Sequence, residues 1–252
     1  MLAIGHFYFA LTIAAVIIRQ TMQTFGKLYV VATPIGNHSD ITQRAIEIIR
    51  DVDALICEER KEGSKLLHSL SLQKQLIELN EHNEAEMVQN VLVELMNGKE
   101  LALVSDGGTP LFNDPGLKLV KLVHESNISV VPVPGVSALT AAISVCPFDL
   151  DQFLFLGFLP PQSEARLVKL NRHINSEFPV ILMDTPYRLK KLLLEVSKVF
   201  GKSQQVFLAC DLTLPTEALY LGPIQEVIIQ VQNRKAEFML ILDKPQRRRK
   251  YT

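Results

Sequence analysis

The sequence predicts an α/β protein of two α/β domains, and three observations carry that reading. Short runs rich in β-branched residues alternate with longer amphipathic stretches, the pattern of strands joined by helices packed on a sheet. The periodicity breaks once, at residues 146–152 (CPFDLDQ), and resumes as a second series. The chain has 252 residues, 48% of them hydrophobic and 21% charged, so it supplies apolar material for more than one core. With 12 Gly and 13 Pro and no internal repeat, it is not collagenous, low-complexity or disordered.

The first series places strands at 27–32, 54–57, 76–79, 101–105 and 130–133, with helices at 40–52, 84–97, 115–126 and 137–145. Asp40 reads as a helix cap, because a short acceptor side chain satisfies free N–H groups at a helix start. Pro115 reads as a first-turn residue, where the missing proline N–H costs nothing. The second series places strands at 153–158, 180–183, 206–210, 219–222 and 237–242 around helices at 163–175, 187–200 and 223–232. The domains expected are therefore 26–147 and 148–243, flanked by an apolar extension, 1–25, and a basic tail, 244–252. The apolar run 2–18 sits at the short limit for a membrane span, yet no Lys or Arg precedes it and no small-x-small cleavage pattern follows before Arg19. Met22, just ahead of the first strand, is read as the true start, and no membrane partner is expected for the core.

Charge and cysteine usage narrow the partners. The 26 basic and 27 acidic residues give a net charge of −1, so any nucleic acid is held by local patches rather than by overall attraction. Candidate patches are Arg60, Lys61 and Lys65, then Arg166, Lys169 and Arg172 at helical i, i+3, i+6 spacing, and the run 247–250. Cys57, Cys146 and Cys210 are too few and too far apart for a disulfide framework or a zinc knuckle, so a reducing, cytoplasmic setting and no metal site are expected. The dinucleotide and triphosphate glycine loops, the zinc-protease motif and the serine-hydrolase elbow are all absent.

In open α/β sheets ligands bind beyond the carboxyl ends of strands, which draws attention to three loops. Residues 32–37 (ATPIGN) form a turn shaped by Pro34 and Gly36. Residues 105–116 (SDGGTPLFNDPG) combine Gly107 and Gly108, which admit close main-chain approach, with Asp106, Asn113 and Asp114. This loop is too elaborate for a bare turn. Residues 134–138 (PGVSA) make a tight turn onto a helix.

Read together and in order, ATPIGNHSDITQRA (32–45), SDGGTPLFNDPG (105–116), VPVPGVSALTAA (131–142) and FLFLGFLP (153–160) strongly resemble the ribosomal RNA small-subunit methyltransferase I family, a branch of the tetrapyrrole methylase superfamily. The resemblance spans residues 26–242. It implies two α/β domains of the tetrapyrrole methylase type with a donor cleft between them, S-adenosylmethionine as methyl donor, and transfer to the ribose 2′-hydroxyl of a cytidine in small-subunit rRNA. It also implies a homodimer acting on that rRNA or on the assembled small ribosomal subunit. By motif position the donor contacts are Pro34, Gly107, Gly108, Thr109, Pro134, Gly135, Ser137, Phe158, Leu159 and Pro160. For a base that takes the hydroxyl proton, Glu58, Glu59, Asp106 and His82, the last in the family-like stretch 80–84 (NEHNE), stay open as alternatives. Substrate contacts are expected from Arg60, Lys61, Asn113 and Arg188.

The departures from the family fall in the substrate loops. Residues 58–63 (EERKEG) keep Glu58, while Glu59, Lys61 and Glu62 replace an aspartate, an arginine and a histidine; Lys61 lacks the planar fork that suits phosphate. Residues 184–188 (DTPYR) keep Pro186 and Arg188, and 209–214 (ACDLTL) carry Cys210 and Leu214 where basic residues are expected. Two rivals therefore stand beside the rRNA reading: a methylase of a tetrapyrrole or other small molecule, and an inactive member that binds donor or ribosome without catalysis.

Overall fold

The structure is a computed structural model, and it describes residues 25–112 and 114–244. The apolar extension through residue 24, Met22 included, the basic run 247–250 and Asn113 lie outside the described residues. The described chain packs as two units. One holds residues 25–31, 42–106 and 114–134; the other holds residues 32–41, 107–112 and 135–244.

The first unit is a parallel sheet of β1 (Lys27–Val31), β2 (Ala54–Cys57), β3 (Gln75–Glu78), β4 (Leu101–Val104) and β5 (Ser129–Val133), in the order β3-β2-β4-β1-β5. Its interior strands β2 (ALIC) and β4 (LALV) are buried at every residue, which is why they read as unbroken apolar runs. Pro132 lies on the edge strand β5, where a missing N–H breaks no ladder. The helices are α1 (Gln43–Asp51), α2 (Arg60–Ser69), α3 (Glu84–Met96) and α4 (Leu117–Glu125).

Three local features depart from the sequence reading. Thr42, not Asp40, caps α1, its side chain accepting from the Ala45 N–H, while Asp40 sits in a short 3₁₀ turn headed by Asn37. The helix expected from Pro115 starts at Leu117, because Gly116, at φ +118°, turns the chain and donates its N–H to Glu84 Oε1 at 3.1 Å. Helix α2 was not foreseen. Its sequence, RKEGSKLLHS, is charge-rich and interrupted by Gly63, and packing demands that glycine: a Cβ there would stand 2.7 Å from Cys57 Sγ.

The second unit is a mixed sheet of β6 (Leu154–Gly157), β7 (Val180–Asp184), β8 (Gln205–Cys210), β9 (Ala218–Pro223) and β10 (Phe238–Leu242), in the order β6-β7-β10-β8-β9. β6 and β7 are parallel, and β10 runs antiparallel to both β7 and β8. The period-two alternation sorts the core onto two faces. Val180, Leu182, Leu240 and Leu242 pack with α6 (Ser163–Asn171), α7 (Leu189–Phe200) and α8 (Ile224–Val231). Ile181, Phe207, Ala209, Met239 and Ile241 pack with α5 (Ala138–Val145), whose small Ala142 is fully buried against them.

Candidate active site

The second unit holds the 32–37 turn together with residues 107–112 and 135–138 of the other two loops singled out by sequence. Thr33 and Gly108 form an isolated bridge, the Thr33 N–H donating to Gly108 O at 2.9 Å and the Gly108 N–H to Thr33 O at 3.0 Å. Gly108 adopts φ +90°, a conformation that a Cβ strains, so glycine here shapes the loop rather than only clearing space. Gly107 lies against Pro34, whose carbonyl oxygen would be 3.4 Å from a Cβ. Thr109 Oγ1 donates to Val136 O at 3.0 Å, and Ser137 heads α5. Asn37 N–H donates to Thr213 Oγ1, which ties the 32–37 turn to the segment after β8.

Beyond the carboxyl ends of β7 and β8 lies a cavity of about 70 Å³. Its walls are largely apolar, with Ile35 and Ala138 from two of those loops facing Met183, Ala209, Leu212 and Met239. The antiparallel register of β10 places Phe238 opposite both Asp184 and Cys210, so the start of that strand joins the same end of the sheet. Asp184 is only 2% exposed. Its Oδ1 accepts from the Thr185 N–H and from Arg188 Nε, each at 2.7 Å, whereas Oδ2 has no partner. Asp211, also lining the cavity, is held by Arg234 at 2.7 Å and by the Glu237 N–H at 3.1 Å.

The segment after β6 is fixed from behind. Leu159 is buried in the core, and the carbonyls of Pro160 and Pro161 accept from Arg166 Nη1 at 2.8 and 2.9 Å. Arg166, 1% exposed, pairs with Glu195 through Nε and Nη2, and Ser163 Oγ also donates to Glu195. The solvent-facing basic surface expected of Arg166, Lys169 and Arg172 therefore loses its first member, since a buried guanidinium needs a carboxylate close by.

The first unit contributes carboxylates. Glu58 follows β2 and Asp106 follows β4, and those strands are neighbours. Burial pushes the half-buried Glu58 above the usual carboxylate range, with Asp106, Asp114, Glu59 and Glu81 adding to the rise. Asp106, an exposed residue, is also pushed up, by partial burial of its carboxyl first and then by Glu59, Glu62 and Asp114. Glu59 precedes α2, Arg60 pairs with Glu78 at 3.4 Å, and Lys61 is exposed. His82 is exposed beside Glu81. Its neighbours in NEHNE serve the fold: Asn80 N–H donates to Asn83 Oδ1, and Glu84 holds both the Gly116 N–H and Lys118 Nζ.

The tetrapyrrole (corrin/porphyrin) methylase family model matches residues 27–228. The ribosomal RNA small subunit methyltransferase I of Escherichia coli O157:H7 is 38% identical over 222 residues, covering 86% of this chain and 78% of that protein. Its counterpart from Leptospira biflexa is 38% identical over 219 residues, covering 86% and 91%. The chain belongs to the tetrapyrrole methylase family, in its ribosomal RNA small subunit methyltransferase I branch. The fold agrees. Uroporphyrin III C-methyltransferase from Thermus thermophilus superposes with a TM-score of 0.64 at 15% identity, over 87% of this chain and 98% of that one. The cobalamin biosynthetic enzyme cobalt precorrin-4 methyltransferase gives 0.63 at 16% identity, over 86% and 94%.

Within this methylase fold the cavity residues Met183 and Met239 are not among those expected at the site, and Asp184 and Ala209, though they lie in the stretches 184–188 and 209–214 read as substrate loops, have no role of their own in that reading. One signal for them stood in the sequence. β7 reads VILMD, and an aspartate closing an otherwise apolar strand is a polar group placed at the ligand end of the sheet. Among the described residues no cluster of His, Cys, Asp or Glu could hold a metal ion, and no helix is long and apolar enough to cross a membrane.

Proposed function

We propose that this chain is an S-adenosylmethionine-dependent methyltransferase that modifies the ribose 2′-hydroxyl of a cytidine in small-subunit ribosomal RNA, free or within the small ribosomal subunit, in the cytoplasm. Kinship with the rRNA methyltransferases supports the acceptor. The observation that carries the donor is Asp184 Oδ2. A buried acceptor without a partner costs about 1–3 kcal/mol, which a ligand N–H or O–H in the apolar cavity removes. The donor's adenosine offers such groups, and at about 70 Å³ the cavity is a recess for one polar edge of the ligand rather than a pocket for the whole of it.

When bound, S-adenosylmethionine supplies a methyl group already activated on a sulfonium. The chain then has to position and to remove a proton. Ile35, Ala138, Met183 and Met239 keep water from that recess, and Asp184 orients the donor edge that enters it. Pro34, Gly107, Gly108, Thr109, Pro134, Gly135 and Ser137 shape the loops, and Phe158–Pro160 forms a wall that Arg166 fixes from behind. Either Asp106 or Glu58, whose carboxyls titrate above the ordinary range, accepts the one 2′-hydroxyl proton, because a base with a raised pKa is the more effective one. Arg60 and Lys61 bind phosphate. Arg188 instead orients Asp184.

The test is transfer of labelled methyl from S-adenosylmethionine to isolated small subunits, free rRNA and uroporphyrinogen in parallel, with mapping of alkali-resistant linkages. Methyl at a cytidine ribose supports the reading; methyl on the tetrapyrrole alone overturns it. In the same protein Asp184→Asn weakens donor binding by about 10- to 100-fold, the worth of a hydrogen bond to a charged group. Unchanged donor affinity would remove Asp184 from the donor site.

A further inference from the structure

Arg188 is engaged by Asp184, and beside it lie two other cations next to an unusual aromatic ring. Tyr187 is 80% exposed, more than any other described large hydrophobic side chain. Such exposure contributes nothing to folding, since the ring covers no core. Isolated exposed apolar residues are ordinary on protein surfaces, so exposure by itself assigns no role. Two further features set this ring apart.

The first is its mounting. Tyr187 occupies the short 3₁₀ turn Pro186–Arg188 directly after β7. Pro186 restricts the backbone at the head of that turn, the Arg188 N–H closes it on Thr185 O at 2.9 Å, and the Arg188 side chain anchors it to the buried Asp184. The backbone that carries the ring is therefore held before any partner arrives, which lowers the entropy lost on binding. The second is its charge environment. Lys235 Nζ stands 5.1 Å from the ring centroid, and Lys190, two residues after the turn, has its Nζ tied at 2.7 Å to Oδ1 of Asn233, two residues before Lys235. Among the described residues neither ammonium lies within ion-pair distance of a carboxylate, whereas Arg188 and Arg234 close by are both paired with acids.

We propose that Tyr187, with Lys235 and Lys190, is a stacking platform for an unpaired nucleobase of the RNA, one face of the ring taking the base while the ammonium groups meet the adjoining phosphates. This inference rests on the rRNA reading above and adds to it the form of the substrate. An aromatic ring recognises a base only where that base has left its own stack, so the segment bound here is single-stranded, a loop, bulge or displaced strand rather than a duplex. Stacking is indifferent to base identity, so the platform favours unpaired over paired RNA without selecting a sequence.

The test uses the full chain and a short single-stranded oligoribonucleotide, compared with the same sequence annealed to its complement. Tyr187→Ala weakens single-strand binding by about 5- to 100-fold, the range of one base–aromatic stack, and removes most of the preference over duplex. Tyr187→Trp retains the preference. Because the chain contains no tryptophan, that variant also reports stacking directly, its fluorescence being quenched by the single strand and not by the duplex. Donor affinity and thermal midpoint stay at wild-type values in both variants, and in methyl transfer to small subunits KM rises for Tyr187→Ala with little change in kcat. If the wild type methylates rRNA and Tyr187→Ala binds single strands unchanged, the platform is wrong and the function stands. Fluorescence quenched equally by duplex likewise overturns it. If the wild type transfers methyl only to another acceptor, the functional reading fails and the platform with it. Loss of binding to a ribosomal protein rather than to RNA in Tyr187→Ala would identify a protein-docking residue and also refute the proposal.

Discussion

Replacing Arg166 by Met tests how the segment that ends β6 is held. Arg166 is 1% exposed and makes two hydrogen bonds to Glu195 and two to the carbonyls of Pro160 and Pro161. Removing it leaves a carboxylate in a nearly closed site with only Ser163 as partner, and two carbonyls without their donor. Breaking one side of a buried pair costs about 3–5 kcal/mol. For a chain of this size each kcal/mol is about 2–4 °C, so the midpoint falls by about 6–20 °C. The pH dependence has a definite sign. Burial alone would raise the Glu195 carboxyl, but hydrogen bonds from Arg166 and Ser163 outweigh it and hold the carboxyl below its ordinary 4.5. In the wild type its contribution is therefore present above that value and is lost as pH falls through the lowered one. In Arg166→Met burial dominates, the carboxyl titrates above its ordinary value, and the defect shrinks as acid neutralises it. Urea unfolding at pH 7 and pH 4.5 should show the gap narrowing at the lower pH, and Arg166→Met/Glu195→Leu should recover much of the loss. A loss below about 1 kcal/mol, or a gap that is the same at both pH values, would refute this account.

Two further outcomes follow from the site. The raised pKa of Asp106 means that the folded state holds its proton more tightly than the unfolded chain, so stability is lost as pH rises from its ordinary 3.8 through the raised value. Asp106→Asn should be more stable than wild type at pH 7 by a margin that closes toward pH 4, while methyl transfer drops by about 100-fold or more; a variant that is slow without the pH-dependent gain would mean that the crowding of carboxylates was misjudged. Gly108→Ala should lose about 1–2 kcal/mol from the φ +90° conformation and weaken donor binding, whereas Gly107→Ala, with its nearest neighbour at 3.4 Å, should be much milder, and equal urea midpoints for the pair would contradict the loop geometry.

The elements that sequence placed well are those whose environment is uniform along their length. β2 and β4 are buried throughout, and expectation and structure agree to within a residue because four apolar residues in a row leave little room for another pattern. Helix α2 shows where this fails. Gly63 looks like a breaker, yet it is there because Cys57 Sγ occupies the space of a side chain, a contact between elements that no local pattern encodes. The same holds for NEHNE, where His82 drew attention for its chemistry while the organising work falls to Glu84, which reaches Gly116 thirty-two residues away.

The candidate site divides along the same line. Loops that follow strands in the chain were legible, since a strand end is visible as a change of pattern. The cavity depends instead on β10 running antiparallel between β7 and β8, which sets Phe238 opposite Asp184 and Cys210 although these lie far apart in sequence. A reader limited to carboxyl ends of strands would discard the beginning of β10, because in an all-parallel sheet it would lie at the wrong edge. The antiparallel strand reverses that rule, and it brings Met239 to the cavity from an amino-terminal end. Asp184 is then enclosed on its β10 side by Phe238 and secured on Oδ1 by Arg188, so that Oδ2 alone is left to a ligand. Register, more than composition, leaves an unpartnered acceptor on the last residue of an apolar strand.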